Sequence, residues 1–405
     1  MKKTKVLGQK GITDKPTAVN MIAIERDRLL AAVDKFKTIV NGKVNLPVLK
    51  NCMVDFSFEG GIRIWATDLE LTAIVTIPHE ICFPCKGPYM LPGAILRDSL
   101  DKMKEGPLDI EFNDDKSITL RQGGFDIRFP WQDPEDYPAV DLTGPSTNRE
   151  QVLTIDGDAL TRGIERVIYA TGKDEARFVL TGVGFRICDE ELHTIGTDGF
   201  RISLYLQPAE GAEDMETIVI PKRGAKFAAD NIGEKDIVSV SVVKGGNGEK
   251  KSVIFETPAL ILQSRLITEK YPDYQGPLHP QDDVRSYPYK VSVAYMSDAL
   301  ARLAVLGKLG EYPRITLKQN RIDFAAESNI AVIHDFVPVT AQESSAAVDE
   351  IPFSINAGQF IDAFKHIATP AAQIIFPNSY SMIRITDHAE GEKPRHIQGI
   401  MPMRI

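Results

Sequence analysis

Apolar and polar residues alternate along several short segments of the chain, a pattern typical of β-strands with one buried face. Two of these segments carry a Thr-Asp pair between two alternating stretches: IRIWATDLELTAIV from Ile62 and LHTIGTDGFRISLY from Leu192. Their aspartates, Asp68 and Asp198, are 130 positions apart, and a further 130 positions lead to Ser328 in IDFAAESNIAVIHDF. The sequence therefore predicts a strand–turn–strand unit that occurs three times, at a spacing of about one domain.

Segments with apolar residues at helical spacing recur in step with these units. RDRLLAAVDKF, GDALTRGIERV and SDALARLAVLG come first in each unit, and LPGAILRDSLDKM, IPKRGAKFAADNI and INAGQFIDAFKHI follow the central turn. The second set is predicted to begin at about Pro92, Pro221 and Asn356, since proline is favourable where its missing N–H would have no partner. Each unit should therefore contain two helices and roughly eight strands, an α+β fold of two helices packed on antiparallel sheets.

The repeat also predicts the domain boundaries. Residues 1–20 form an N-terminal extension, and the three units span residues 21–147, 148–281 and 282–405. Similar domains in tandem have similar edges, so an edge strand of one can pair with an edge strand of the next. The edges at the two chain ends must be covered or paired with another molecule, which a closed head-to-tail ring achieves.

The composition is that of an ordinary globular protein, with 43% hydrophobic and 25% charged residues among 405. The net charge of −9 argues against a protein that coats nucleic acid by bulk charge, but it allows a local basic surface. No apolar run approaches the length of a membrane span, and the basic N-terminus lacks the apolar stretch of a secretory signal. The four cysteines fit a reducing compartment, so we expect a cytoplasmic protein.

The sequence contains no arrangement of residues typical of an enzyme. Cys82 and Cys85 in CFPC have a thioredoxin-like spacing, but no helix start follows, and no second Cys or His pair is spaced to complete a zinc site. GGNGEKKS lacks the lysine spacing of a phosphate-binding loop and is predicted to be a hairpin turn. The seven histidines form no recognisable catalytic or metal motif. We therefore expect a protein without catalytic residues, metal or cofactor.

Together with the threefold repeat, several short motifs resemble those of the bacterial DNA polymerase III β subunit, the β sliding clamp. They occur in the family's order and spacing: NLPVLKN at 45–51, ATDLELTA at 66–73, DPEDYPAVD at 133–141, GTDGFRIS at 196–203, IVIPKRG at 218–224, YPDYQ at 271–275 and the terminal MPMRI. The resemblance covers the chain from about residue 21 to its end. It implies the DNA-clamp fold: a ring of two head-to-tail subunits, six domains, helices inside and sheets outside.

The implied function is that of a processivity factor. A clamp encircles duplex DNA without reading its sequence, and it tethers the DNA polymerase III alpha subunit, the clamp loader and repair proteins through short linear motifs. The resemblance places client binding in a hydrophobic pocket between the second and third domains. The residues that it assigns to this pocket are Leu180, Thr197, Gly199, Phe200, Arg201, Ile202, Pro272, Asn356, Tyr380, Met382, Ile400, Met401, Pro402, Met403, Arg404 and Ile405.

Phe200 stands where many members of the family carry histidine, and Gly276 and Pro277 stand where a basic and an aliphatic residue are common. Both departures suggest an altered client preference. In the terminal MPMRI, flexible methionines suit a surface that accepts different peptides, and Pro402 excludes a helix. The alternative is that the tail only seals the core of the third domain.

The expected DNA contacts are basic residues on the inner helices and loops: Lys35, Lys43, Lys173, Lys222, Arg223, Lys226 and Arg302. Such contacts are made to phosphates. For any single lysine a solvated helix face is the simpler explanation, but clusters on equivalent helices of three units favour DNA. The resemblance assigns the dimer interface to Phe125 and Ile127 on one side and to Val305 and Leu306 on the other.

A client-binding scaffold that never touches DNA is the alternative to a clamp, since it would share the pocket but lack the basic helices. The sequence leaves open which clients bind, what residues 1–20 do, and whether the protein is a main or an auxiliary clamp.

Overall fold

The computed structural model describes residues 21–42, 46–79, 87–141, 148–278, 286–307, 312–341, 350–377, 381–387 and 393–404. The chain divides into two compact units, Met1–Val140 and Asp141–Ile405. None of the helices in the described ranges is long and apolar enough to cross a membrane.

The first unit contains eight strands and three helices within its described residues. In chain order they are β1 (Met21–Glu25), α1 (Arg26–Asp34), α2 (Lys37–Val40), β2 (Asn51–Asp55), β3 (Ile62–Thr67), β4 (Leu71–Ile77), β5 (Tyr89–Pro92), α3 (Gly93–Lys102), β6 (Pro107–Phe112), β7 (Ile118–Gln122) and β8 (Phe125–Phe129). The strands lie side by side in the orders β1-β6-β7-β8 and β5-β2-β3-β4, and all pairings are antiparallel. Helix α1 packs against α3.

The second unit begins with a series of the same kind. Its elements are β9 (Arg149–Asp156), α4 (Gly157–Ile168), β10 (Gly182–Cys188), β11 (Glu191–Thr197), β12 (Arg201–Pro208), β13 (Met215–Pro221), α5 (Lys222–Asn231), β14 (Ile237–Lys244), β15 (Lys250–Glu256), β16 (Leu260–Arg265) and the short α6 (Gln275–Leu278). Strands β16, β15, β14 and β9 are neighbours in that order, β13, β10, β11 and β12 form the other layer, and α4 packs against α5.

The same unit continues with a further series. It comprises β17 (Ser286–Ser292), α7 (Val293–Gly307), β18 (Arg314–Leu317), β19 (Arg321–Glu327), β20 (Val332–Ala341), β21 (Glu350–Ser354), α8 (Ala357–Lys365), β22 (Ala371–Pro377), β23 (Ile383–Asp387), β24 (His396–Ile400) and β25 (Met403–Arg404). Strand β12 pairs with β24, so the two series share one sheet with the order β13-β10-β11-β12-β24-β23-β22-β17-β20-β19-β18-β21-β25.

The predicted repeat is confirmed at the level of elements. The first two series have eight strands each, and the third has the same eight followed by the short β25. In every series a helix follows the first strand and another follows the fifth, and these helices pack as the pairs α1 and α3, α4 and α5, and α7 and α8. The α+β, two-layer architecture is therefore also confirmed. The boundary after residue 281 stays a prediction, because both later series belong to the second unit.

The Thr-Asp pairs form turns, as predicted. Oδ1 of Asp68 accepts hydrogen bonds from the N–H groups of Glu70 and Leu71. Oδ1 of Asp198 accepts in the same way from Phe200 and Arg201, both at 2.9 Å. In the third series the hydroxyl of Ser328 accepts from the N–H groups of Ile330 and Ala331. These aspartates therefore close turns by side-chain-to-backbone hydrogen bonds.

The prediction that the second helices begin at Pro92, Pro221 and Asn356 is wrong by one residue. Each of these residues has extended backbone angles and directly precedes its helix. Both prolines are the last residue of a strand, where their restricted φ suits extended backbone. Asn356 caps α8, because its side-chain oxygen accepts a hydrogen bond from the N–H of Gln359 at 3.2 Å.

Candidate functional site

The candidate site is an apolar cluster at the pairing of β12 with β24, here called the junction cluster. Its buried members are Ile195, Ile202, Leu204, Leu206, Val219, Ile267, Tyr271, Tyr274, Leu278 and Met382, and the partly buried Val179, Ile397 and Met401 pack against it. The partly buried members leave apolar surface open to solvent, as a binding surface for an apolar ligand requires. Sequence reasoning assigned only Ile202, Met382 and Met401 of this cluster to the site. It missed the others, including Tyr271 and Tyr274, although both belong to the YPDYQ motif.

The C-terminal tail lies along this cluster. In the β12–β24 pairing, Arg201 is opposite Ile400, and the next residue, Met401, donates a backbone hydrogen bond to the carbonyl of Phe200 at 2.8 Å. The tail then pairs with β21, where Met403 is opposite Ser354. Ile400 is buried, whereas Met401, Pro402 and Met403 are half-buried. The tail is therefore held by backbone pairing on both sides while its methionines keep exposed apolar area.

The turn between β11 and β12 forms the opposite rim. Gly199 has φ +88°, a left-handed conformation that favours glycine. Phe200 is 60% exposed, whereas Leu180 and Ile202 are buried. Thr197 accepts the N–H of Gly199 with its hydroxyl at 3.1 Å. The turn thus presents one large aromatic side chain to solvent beside an apolar floor.

Replacing Gly199 by alanine is expected to destabilise the protein by about 1–2 kcal/mol, since a non-glycine residue is unfavourable at this φ. The added Cβ would also lie 3.0 Å from Nη1 of Arg177 and 3.6 Å from Cδ1 of Leu180. Gly248 is the matched control, with φ +83° and no atom within 4 Å of the added Cβ. In urea unfolding, Gly199→Ala should lower the midpoint more than Gly248→Ala. Equal shifts would mean that crowding at the turn contributes nothing.

Arg201 connects β12 to the third series. Its Nε donates to Asp198 at 2.9 Å, its Nη1 to Asp362 on α8 at 3.0 Å, and its Nη2 to the carbonyl of Tyr169 at 3.0 Å. All three nitrogens of the guanidinium group are engaged, so it positions the site and has little left to offer a ligand.

The Tyr169 ring stacks on His366, with centroids 4.0 Å apart. Its hydroxyl donates to the side chain of Gln398 on β24. Burial raises the pKa of Tyr169 and lowers that of His366, which keeps both rings neutral at pH 7. The stack therefore adds a further side-chain contact between the second and third series.

The other residues predicted for the pocket are distributed as follows. Pro272 is exposed and follows the buried Tyr271, and Met382 is buried in the junction cluster. Asn356 is engaged as a helix cap. Tyr380, Ile405 and the side chain of Arg404 lie outside the described residues.

Two of the predicted DNA contacts, Lys173 and Lys222, lie near each other and near Arg201. Burial lowers the pKa of Lys222, and the positive charges of Lys173 and Arg201 lower it further, so these three cations lie close together. Neither Lys173 nor Lys222 is paired with an acidic side chain within the described part of the chain. A group of cations that is only partly neutralised suits an anionic ligand such as a phosphate.

The remaining predicted DNA contacts are less suited to binding phosphates. Lys226 pairs with Asp230 at 2.9 Å on its own helix. Arg302 pairs with Asp335 at 2.7 Å, so its guanidinium is held against strand β20. Lys35 is half-buried, Arg223 is exposed, and Lys43 lies outside the described residues. Sequence clustering could not reveal the pairing of Arg302, because Asp335 is far from it along the chain.

The residues predicted for the dimer interface lie at accessible edges. Phe125 and Ile127 belong to β8, the end strand of its sheet, and Phe125 is 48% exposed. Val305 is 61% exposed on α7, so it is not part of the core of its own series. The side chain of Leu306 lies outside the described residues. Strand β20 adds exposed apolar residues that sequence reasoning missed, Val332 and Phe336, and the alternation in AVIHDF is the signal that could have indicated them.

The structure describes only part of the sites considered for other chemistry. Residues 81–86, which include CFPC, lie outside it. The described residues contain no group of three or more His, Cys, Asp or Glu side chains that could hold a metal ion. The predicted GGNGEKKS hairpin is confirmed, since β14 and β15 pair on either side of it.

Two family models match this chain. The DNA polymerase III beta subunit N-terminal domain matches residues 21–141, and the central domain of the same subunit matches residues 154–273. Among curated proteins, a beta sliding clamp of Caulobacter vibrioides is 25% identical over 404 residues, covering 95% of this chain and 100% of that protein. The beta sliding clamp of Salmonella typhimurium is 21% identical, covering 94% and 99%.

Solved structures show a common fold. The beta subunit from DNA polymerase of Streptococcus pyogenes has a TM-score of 0.83 at 18% identity, covering 95% of this chain and 100% of that chain. The Pseudomonas aeruginosa sliding clamp bound to griselimycin has a TM-score of 0.81 at 20% identity, covering 95% and 99%.

Proposed function

This chain belongs to the DNA polymerase III beta subunit family, and we propose that it is a sliding clamp: a closed ring around duplex DNA that tethers the replicative polymerase and other clients. The junction cluster is the observation that supports client binding. Its partly exposed Met401 is held beside the Gly199 turn by a backbone hydrogen bond. The griselimycin complex supports a ligand-binding role for the fold in that relative.

The clients would be short apolar segments. Leu180, Thr197, Ile202, Pro272 and Met382 would surround the opening, and the tail residues Ile400 to Met403 would form its second wall. One or two large apolar side chains bury enough area for a few kcal/mol, at about 25 cal/mol per Å². A contribution of that size suits weak, exchangeable binding, as partner exchange on a clamp requires. Phe200 and the Gly276–Pro277 pair would adjust client preference at the rim.

Ring closure is proposed from the repeat. Within the second unit, β12 pairs with β24, the last strand of the next series. The strand equivalent to β24 in the first unit is β8, and the strand equivalent to β12 in the third series is β20. In the described chain, residues 332–337 of β20 have β19 on one side and no strand on the other. Two head-to-tail copies would pair each β8 with the partner's β20 and leave neither edge exposed.

The repeat also supports a register for this pairing. Ser203 is opposite Gln398 in the β12–β24 pair. The equivalent residues on the open edges are Ile333 and Ile127, so these two would face each other across the interface. The next pair would be His334 and Asp126, whose charges are complementary when the histidine is protonated. Phe125 and Val305 would add apolar area on the core-facing side.

The DNA-facing surface would include the helix pair α4 and α5. Lys173 and Lys222 are its best-supported contacts, because a bound phosphate would reduce the repulsion between their neighbouring positive charges. No catalytic group is proposed, and the chain would act as an accessory subunit in the cytoplasm, where bacterial DNA is replicated.

Replacing Lys173 and Lys222 together by glutamate is expected to weaken binding to duplex DNA at low salt, without dependence on sequence. Each phosphate contact contributes about 0.9 to the slope of log K against log salt, so the slope should become shallower by about 2. Fluorescence anisotropy of labelled duplexes over a salt series measures this. The control Lys104→Glu/Lys235→Glu has the same net charge at exposed positions. An unchanged slope in the first variant would remove these lysines from the DNA surface.

The proposed function as a whole is tested by topology. After loading by the clamp loader, the protein should remain on closed circular DNA during gel filtration and be lost when the circle is cut once. Retention that is the same on circular and linear DNA would contradict a ring, and absence of any retention would favour the scaffold alternative.

A further inference from the structure

A trough of about 1040 Å³ lies next to the junction cluster and is lined by β13, by the end of β10 and by the segment from Leu266 to Tyr274. The segment from Leu266 to Tyr274 separates the two sites and contributes to both. Tyr271 and Tyr274 belong to the junction cluster and also line the trough. Glu269 lines the trough while its carboxylate accepts the N–H of Val179, which packs on the cluster, at 3.1 Å. A peptide in the junction cluster could therefore continue over Pro272 into this trough.

One wall of the trough is an open strand edge. Among the described strands, β13 is the end strand of its sheet and pairs only with β10. On the other side of β13, the described residues form one isolated β-bridge, between Val219 and Ile267. Residues 215–217 have no strand beside them there, and the Glu216 carbonyl accepts a hydrogen bond from the Lys250 ammonium group at 3.4 Å. An edge of this kind can accept an extended peptide as an additional strand.

The charges around the trough favour a basic occupant. Five carboxylates line it, against three cations: Asp214, Glu216, Glu249, Glu269 and Asp273, against Arg186, Lys250 and Lys270. Two of the cations are engaged within the protein. Arg186 donates to Gln275 at 3.5 Å, and Lys250 contacts the Glu216 carbonyl while burial lowers its pKa. These hydrogen bonds go to uncharged acceptors and leave both positive charges in place, and Glu249 pairs with Lys251 at 3.3 Å. With five carboxylates against three cations, the lining still carries an excess of negative charge.

We propose that this trough binds a basic, extended segment that flanks the apolar motif of a client, pairing with the edge of β13 while its lysines or arginines meet Glu216 and Glu249. The inference rests on the proposed client binding at the junction cluster and adds to it a second, charge-selective contact. Three features favour this occupant. The trough adjoins the junction cluster, the edge of β13 can accept a further strand, and carboxylates outnumber cations around the trough. Client segments with acidic flanks would bind at the junction cluster alone.

The test uses the full-length protein and synthetic peptides from the apolar clamp-binding segment of the host's DNA polymerase III alpha subunit. The peptide is made without a flank and with Lys-Thr-Lys-Thr-Lys, Ser-Thr-Ser-Thr-Ser or Glu-Thr-Glu-Thr-Glu at either end. In calorimetric titrations, the lysine flank at one end should tighten binding by about tenfold over the serine flank. The gain should shrink as salt rises, since these charges are partly exposed. Hydrogen exchange at residues 215–217 should slow only with the lysine flank.

The variant Glu216→Lys/Glu249→Lys should lose this gain while binding the unflanked peptide as tightly as the wild type. The control Glu59→Lys/Glu105→Lys makes the same charge change at exposed positions of the first unit and should keep the gain.

Failure of the unflanked peptide to bind would remove the proposed client site, and this inference with it. Normal binding of the unflanked peptide with no gain from the lysine flank would overturn the trough alone. A gain that appears only after residues 1–20 are deleted would assign the trough to the chain's own basic N-terminus and would also overturn the proposal.

Discussion

Replacing Phe125 by lysine is expected to convert the proposed dimer into monomers. Phe125 is 48% exposed in the single chain, so the change should cost the isolated fold little. In the ring the new ammonium group would be buried against apolar residues near Val305, at about 2 kcal/mol per interface. A ring has two such interfaces, so the dissociation constant should rise about a thousandfold. Sedimentation velocity over a concentration series measures the result, and Val305→Lys should act in the same way from the other side.

Ile237→Lys is the matched control for this experiment. Ile237 is 58% exposed at the start of β14, away from both proposed edges, and its replacement should leave the dimer intact. Circular dichroism should show the same fold for all three variants. A wild-type chain that is monomeric at micromolar concentration, or a Phe125→Lys chain that remains dimeric, would contradict the ring.

Removing Met403–Ile405 is expected to abolish client binding while the protein still dimerises and still encircles DNA. Met403 is half-buried, and the loss of a methionine contact with a ligand costs about 2 kcal/mol. Peptide affinity should therefore fall by at least about thirtyfold, as measured by calorimetric titration of a polymerase-derived apolar peptide. The pairing of β25 with β21 is short, two residues on each strand, so its loss should lower the unfolding midpoint only slightly.

Met403→Ala distinguishes the side-chain contact with the peptide from the backbone pairing of the tail. It removes the thioether but keeps the β25–β21 hydrogen bonds. It should weaken peptide binding without lowering the unfolding midpoint. Unfolding of the truncated chain would favour the alternative in which the tail only seals the core. Undiminished affinity in the truncated chain would place the client site elsewhere.

Much of the fold could be predicted because its causes are local. The alternation in β3 and β4, the helical spacing in α4 and the turn at Asp198 each depend on residues a few positions apart. Their repetition at nearly constant spacing then identified a tandem architecture. Even the error at Pro92 and Pro221 was a single residue, because the end of a strand and the start of a helix both tolerate proline.

The candidate site was less predictable because its contacts join distant parts of the chain. The resemblance indicated Arg201 as a pocket residue, but its pairing with Asp362, 161 positions away, makes it part of the connection between two series. Arg302 was assigned to DNA from its charge, and only the packing of α7 against β20 showed that Asp335 neutralises it. A charge in the sequence does not reveal its partner, since burial and pairing decide whether it is available.

The sequence by itself therefore determined the α+β class, the threefold order of strands and helices, the turns and the apolar tail. Periodicity and turn chemistry act over a few residues, so they can be read without the fold. Only the tertiary structure decided which edges of β8, β13 and β20 have no neighbouring strand among the described residues, which lysines are paired with described carboxylates, and where the tail is held. Those properties depend on which strands become neighbours, and strand pairing joins residues such as Arg201 and Ile400, whose proximity no local pattern encodes.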